Sequence, residues 1–97
     1  MRLGKRIRSI RLAEKLTQDE MAQLLEMPLV SLRNYEYEKR SINEENLTKI
    51  TNHERFKKYA FWLMTGETLP ESGQISPDFS ILLECGVETA KDVAKRA

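Results

Sequence analysis

Ninety-seven residues, 40% apolar and 32% charged, make one small domain or a domain with a tail, which excludes a chain that is disordered throughout. No stretch nears the roughly 20 apolar residues of a membrane span, the opening is a basic amphipathic pattern and not a signal peptide, and a single cysteine, Cys85, fits a reducing cytoplasm. The net charge of +1 hides an asymmetry: residues 1–58 carry 13 Lys/Arg against 9 Asp/Glu, and residues 59–97 carry 3 against 6, so the front half suits a polyanion.

The first predicted helix covers residues 2–15. Leu3, Ile7, Ile10 and Ala13 form its buried stripe, and Arg2, Lys5, Arg6, Arg8, Arg11 and Lys15 face only one acid, Glu14. Thr17 and Glu20 form a T-x-x-E capping box that opens a second helix, with Met21, Ala22, Leu24 and Leu25 on its apolar side. Only Glu26 and Met27 precede Pro28, which suits the first turn of a third helix over 28–37 because its missing N–H loses nothing there. A short basic loop, Lys39 to Ser41, follows. Asn43 can cap a fourth helix over 44–51, with Leu47 and Ile50 inward. A fifth, over 55–65, holds Phe56, Tyr59, Ala60, Trp62, Leu63 and Met64, an aromatic group whose helical spacing marks core. Residues 66–77, with two glycines and two prolines, read as loop. Ile81, Leu82 and Leu83 suggest a short helix stopped by Gly86, and Val87 to Ala97 a last one.

The third helix has two unlike faces. Leu32, Tyr35 and Glu36 fall at i, i+3, i+4 and point inward, while Leu29, Val30, Arg33, Asn34 and Tyr37 line the other side. A solvated surface explains that mixture of apolar, guanidinium, amide and phenol groups poorly. A helix laid in a DNA major groove explains it well, because arginine can fork onto guanine, asparagine onto adenine, and apolar groups can meet thymine methyls. Chemistry of other kinds finds no foothold. His53 is the only histidine, and the sequence has no Cys/His set at metal spacing, no glycine-rich phosphate loop and no nucleophile beside a histidine. The expectation is no catalytic residue, no metal and no cofactor.

T-Q-D-E-M-A at 17–22, S-L-R-N-Y-E at 31–36 and W-L-M-T-G at 62–66 resemble the lambda-repressor/Cro-like (XRE) family of helix-turn-helix DNA-binding proteins, over about residues 3–66. The resemblance implies an all-α, five-helix domain over residues 1–66; residues 67–97 match no part of it and read as a short helical extension, a candidate for dimerisation or partner binding. It implies that Leu29, Val30, Arg33 and Asn34 read bases, that Gln18, Tyr37, Lys39 and Arg40 contact the DNA backbone, and that Glu36 pairs with Arg11 as a structural ion pair. Two positions depart from the family, which has glycine where this chain has Glu26 and Glu38. The implied function is a transcriptional regulator in the bacterial or phage-infected cytoplasm, a repressor binding a two-fold-related operator as a homodimer. Two alternatives stay open at this point: an antitoxin that represses its own operon and holds a toxin protein, and a helical module that binds protein and not DNA.

Overall fold

The computed structural model describes residues 3–87. They form six α-helices: α1 (Gly4–Ala13), α2 (Gln18–Leu24), α3 (Leu29–Glu36), α4 (Glu44–Asn52), α5 (Ala60–Thr65) and α6 (Phe79–Glu84), with 3-10 turns at Lys57–Tyr59 and Pro70–Ser72. The only strand-like pairing among the described residues is one antiparallel bridge between Leu69 and Gln74. The fold is therefore all-α, five helices followed by a short sixth.

Caps start two of these helices. Thr17 Oγ1 accepts from the Glu20 amide at 3.1 Å and the Thr17 amide donates to Glu20 Oε1 at 2.9 Å, so two otherwise orphaned donors satisfy each other across the first turn of α2. Those contacts, the Thr17 amide first, hold the Glu20 carboxyl below its ordinary value. Asn43 Oδ1 accepts from the Asn46 amide at 2.8 Å and opens α4. Pro28 stands one position earlier than expected, as the extended N-cap of α3.

The helix ends share one device. Lys15, Glu26 and Glu38 have φ of 58°, 53° and 59°, in the left-handed region after α1, α2 and α3. At each, the next amide reaches back five residues: Leu16 to Arg11 at 3.1 Å, Met27 to Ala22 at 3.0 Å and Lys39 to Asn34 at 2.9 Å. This is the bond that closes a Schellman turn, normally built on glycine. Glu26 and Glu38 thus take a left-handed conformation that glycine adopts freely, at about 1–2 kcal/mol of side-chain crowding each. Lys15 is a third such position, one that no residue type in the sequence signals.

Ile7, Ile10, Met21, Leu32, Ile50, Phe56 and Leu63 are fully buried, and Leu25, Tyr35, Tyr59 and Trp62 complete the core around them. Two apolar residues expected inward are not there. Leu24 lies off the arc of α2 that carries Met21, Ala22 and Leu25, and Met64 lies across α5 from the buried Trp62, so both remain exposed. The continuous helix expected over 55–65 is instead a 3-10 turn leading into α5. Here His53 Nδ1 accepts from the Arg55 amide at 3.1 Å, turning the chain before Phe56 enters the core.

Glu14 joins this segment to the end of α1. Its carboxylate meets Arg55 Nε at 3.2 Å, Lys58 Nζ at 3.0 Å and Tyr59 Oη at 2.8 Å. Burial alone would push the Glu14 carboxyl up, but the hydrogen bonds from Lys58, Tyr59 and Arg55 and the Lys58 charge together outweigh it, and the group is held below its ordinary value. Burial and the same carboxylate push the Tyr59 hydroxyl up, so it stays a donor.

The chain after α5 returns to the domain. Gln74 accepts from the Phe61 amide at 2.9 Å and donates to the Lys57 carbonyl at 3.1 Å. α6 lies against α1, with Leu82 in the common core, Cys85 buried and Val87 half-buried. Ile75, Phe79 and Leu83 remain exposed. Of the last helix expected over Val87 to Ala97, all but Val87 lies outside the described residues. No helix among the described residues is long and apolar enough to cross a membrane.

Candidate nucleic-acid interface

Helices α2 and α3 are joined through Leu25 to Pro28 alone, and α3 rests on α1 and α2. Leu32, Tyr35 and Glu36 are the buried face of α3, as their spacing requires. The Tyr35 hydroxyl accepts from Asn46 Nδ2 at 2.7 Å, which ties α3 to α4. Where α1 passes the end of α3, Gly4 leaves no room for a side chain: a Cβ there would overlap the Tyr35 carbonyl oxygen and sit 2.7 Å from Glu38 Cγ. The close approach of α1 thus depends on glycine.

Under the outer face lies a connected polar group. Glu36, whose side chain is 0% exposed, takes Arg11 Nε at 2.8 Å and Arg11 Nη2 at 3.0 Å, a two-pronged pair with an Arg11 side chain only 11% exposed. The third Arg11 nitrogen, Nη1, donates to the Leu16 carbonyl at 3.0 Å, in the turn before α2. Gln18 Nε2 donates to Glu36 Oε1 at 3.2 Å, and Gln18 Oε1 accepts from Arg33 Nε at 3.3 Å. A carboxylate removed from water is tolerated only when its lone pairs are met in this way. No described buried side-chain nitrogen or oxygen is left without a partner. The pairing of Glu36 with Arg11 expected from the sequence is present.

The outward residues divide. Val30 is 63% and Tyr37 58% exposed, Arg33 is exposed and Asn34 half-buried; at i, i+3, i+4 and i+7 they share one side of α3. Leu29, expected beside Val30, is turned partly inward and packs against the core. It is the first helical residue after Pro28, and Leu32 lies at i+3 from it, on the core side. Lys39 and Arg40 are exposed just beyond α3. Their amides both donate to the Asn34 carbonyl, at 2.9 and 3.3 Å, so the loop is held to the helix by backbone. Gln18 stands at the first turn of α2, half-buried beside Arg33. Nothing in the spacing signals the bond between Gln18 and Arg33, 15 residues apart.

A helix-turn-helix family model matches residues 7–53, the span from α1 through α4. The chain is 31% identical over 75 residues to Repressor protein C of Escherichia phage P2, across 77% of this chain and 76% of that protein. The matched helices are those that carry the ion pair, the tight turn and the outward face of α3. The chain belongs to the lambda-repressor/Cro-like (XRE) helix-turn-helix family of DNA-binding transcriptional regulators.

Proposed function

We propose that the protein is a repressor that lays α3 in the major groove of a two-fold-related operator, acting as a homodimer in a bacterial or phage-infected cytoplasm. The observation that carries this reading is the outer side of α3, where Val30, Arg33, Asn34 and Tyr37 stand together above a rigid polar base. Arg33 and Asn34 read base edges by hydrogen bonds, and Val30 meets a thymine methyl. Leu29 contributes at the helix tip with the part of its side chain that packing leaves outside. Gln18, Tyr37, Lys39 and Arg40 hold the DNA backbone and so set register without reading sequence. The Repressor protein C relative supports the repressor sense.

One such domain makes few base contacts, so two copies on related half-sites supply the specificity. The exposed Ile75, Phe79 and Leu83 support a protein contact through the 67–97 extension, and a second copy is the partner that this reading requires. Because Leu82 belongs to the core, point changes test this better than truncation. Sequences selected from a random duplex pool should contain inverted half-sites. Phe79→Lys with Leu83→Lys should leave the melting curve in place and shift sedimentation towards monomer. A pool that yields no enriched sequence would refute sequence-specific binding. A monomer at micromolar concentration before any substitution would refute the free homodimer and favour a toxin protein as the partner of the extension.

A further inference from the structure

We infer that Gln74 is a positioning residue for two-site binding: it holds open a slot in the helix ladder before α5 and so fixes the direction in which the apolar face of α6 leaves the DNA-reading domain. The inference rests on the reading that this face meets a second copy. In an uninterrupted α-helix over 55–65 the Phe61 amide would donate to the Lys57 carbonyl. Here one side-chain amide takes both ends of that rung. Phe61 donates to Gln74 Oε1 at 2.9 Å, and Gln74 Nε2 donates to the Lys57 carbonyl at 3.1 Å. The Lys57 carbonyl also takes the Ala60 amide, which closes the 3-10 turn. The Lys58 carbonyl, one rung on, takes the Ile75 amide at 2.9 Å. A side chain inserted between rungs in this way breaks a helix.

Gln74 is itself braced. It exchanges backbone hydrogen bonds with Leu69 at 2.9 and 3.0 Å, around the turn at Pro70–Ser72. Ile75, the first of the exposed apolar residues, follows at once, and α6 begins at Phe79. Leu82 and Cys85 bury the far end of α6, but apolar contact is non-directional. The hydrogen bonds at Lys57, Lys58 and Phe61 have direction, and they aim the segment. Two copies joined through α6 therefore present their α3 helices at one separation. Two base pairs added between half-sites move one of them by roughly 7 Å and turn it by roughly 70°, which a fixed mount does not follow. Without the Gln74 amide, the rung between Phe61 and Lys57 closes and the turn at 69–74 loses its seat.

Gln74→Met keeps the side-chain length and removes the amide; Gln74→Ala serves if the first variant does not fold. In either full-length variant, a scalar coupling across a Phe61 N–H to Lys57 carbonyl hydrogen bond should appear that the wild type lacks. Binding is then titrated on inverted half-sites whose spacing changes one base pair at a time. Two base pairs from its best spacing, the wild type should lose on the order of a hundredfold, because one half-site is no longer engaged. The variant should lose less than about tenfold, with sedimentation and affinity for a single half-site unchanged. A variant profile as steep as that of the wild type would overturn the inference, as would a flat profile from a dimeric wild type. So would a variant weakened equally at every spacing, which is what mere destabilisation produces. A monomeric wild type that gains nothing from a second half-site would overturn the second-copy reading and the positioning role with it, while the Phe61 coupling would still show whether Gln74 holds the slot.

Discussion

Removing Arg11 tests the interior of the interface most directly. The side chain makes three hydrogen bonds, two to Glu36 at 2.8 and 3.0 Å and one to the Leu16 carbonyl at 3.0 Å. In Arg11→Ala the Glu36 carboxylate keeps only the Gln18 amide, with no charge opposite and no exposed side-chain surface through which water can reach it. Breaking a buried pair from one side costs on the order of 3–5 kcal/mol. In a domain of this size each kcal/mol moves Tm by roughly 4–8 °C, so Arg11→Ala should melt about 12–40 °C lower by far-UV circular dichroism. Arg11→Lys keeps the charge but not the fork and should fall between. Replacing both partners, Arg11→Met with Glu36→Leu, should recover most of the loss, because no stranded charge remains. A shift below about 4 °C in Arg11→Ala would match an exposed pair and refute the argument from burial.

On an operator recovered by selection, Arg33→Ala or Asn34→Ala should cost about 1–3 kcal/mol, with a much smaller change on random duplexes; titration of both DNAs checks it, and equal losses would reduce these residues to scaffold. Lys39→Ala or Arg40→Ala should weaken selected and random binding alike and flatten the log–log salt slope by about one unit for each phosphate no longer neutralised. Gly4→Ala drives a methyl into the Tyr35 carbonyl oxygen, and since the obstacle is backbone it should cost at least the roughly 1–3 kcal/mol of an overpacked core, read by urea denaturation. Glu14 carries a pH signature: a carboxyl held below 4.5 in the fold contributes stability that is present above its unfolded value and lost as pH falls through its folded one. Glu14→Gln should therefore lower Tm at neutral pH and remove part of the wild type's decline below about pH 5.

The elements legible in the sequence were those encoded locally. The Thr17–Glu20 box, the Asn43 cap and the Gly86 stop each use residues within a turn of one another, and each is where its spacing placed it. The inward face of α3 was equally legible, since Leu32, Tyr35 and Glu36 are buried by the helical period alone. Harder were positions where several elements decide together. Leu29 sits at a helix start, and its partial burial depends on the core beneath. Leu24 and Met64 are apolar, but each faces away from the buried side of its helix and stays exposed. The break near residue 56 comes where the His53 ring accepts from the Arg55 amide, a contact that no periodicity describes. Of the site, the pairing of Arg11 with Glu36 was legible through the family pattern, whereas the Gln18–Arg33 bond comes from the packing of α2 on α3.

Part of the positive charge in the front half is engaged within the protein. Arg6 donates to the Leu63 carbonyl at 3.0 Å and lies over Trp62, 5.9 Å from its ring. Lys49 donates to the Glu26 carbonyl at 3.1 Å, Lys57 meets Glu54 at 3.2 Å, and Arg55 and Lys58 meet Glu14. With Arg11, these residues hold helix ends and linkers to one another. A count of lysines and arginines over residues 1–58 therefore overstates the charge offered to DNA. The exposed cations adjoining the outward face of α3 are Lys39 and Arg40, fixed to that helix through the Asn34 carbonyl. On the proposed docking, phosphate contact by this loop is set in register with α3, because the carbonyl that orders the loop belongs to Asn34 on the outward face. Local placement, more than net charge, makes this chain a DNA-binding protein at a charge of only +1.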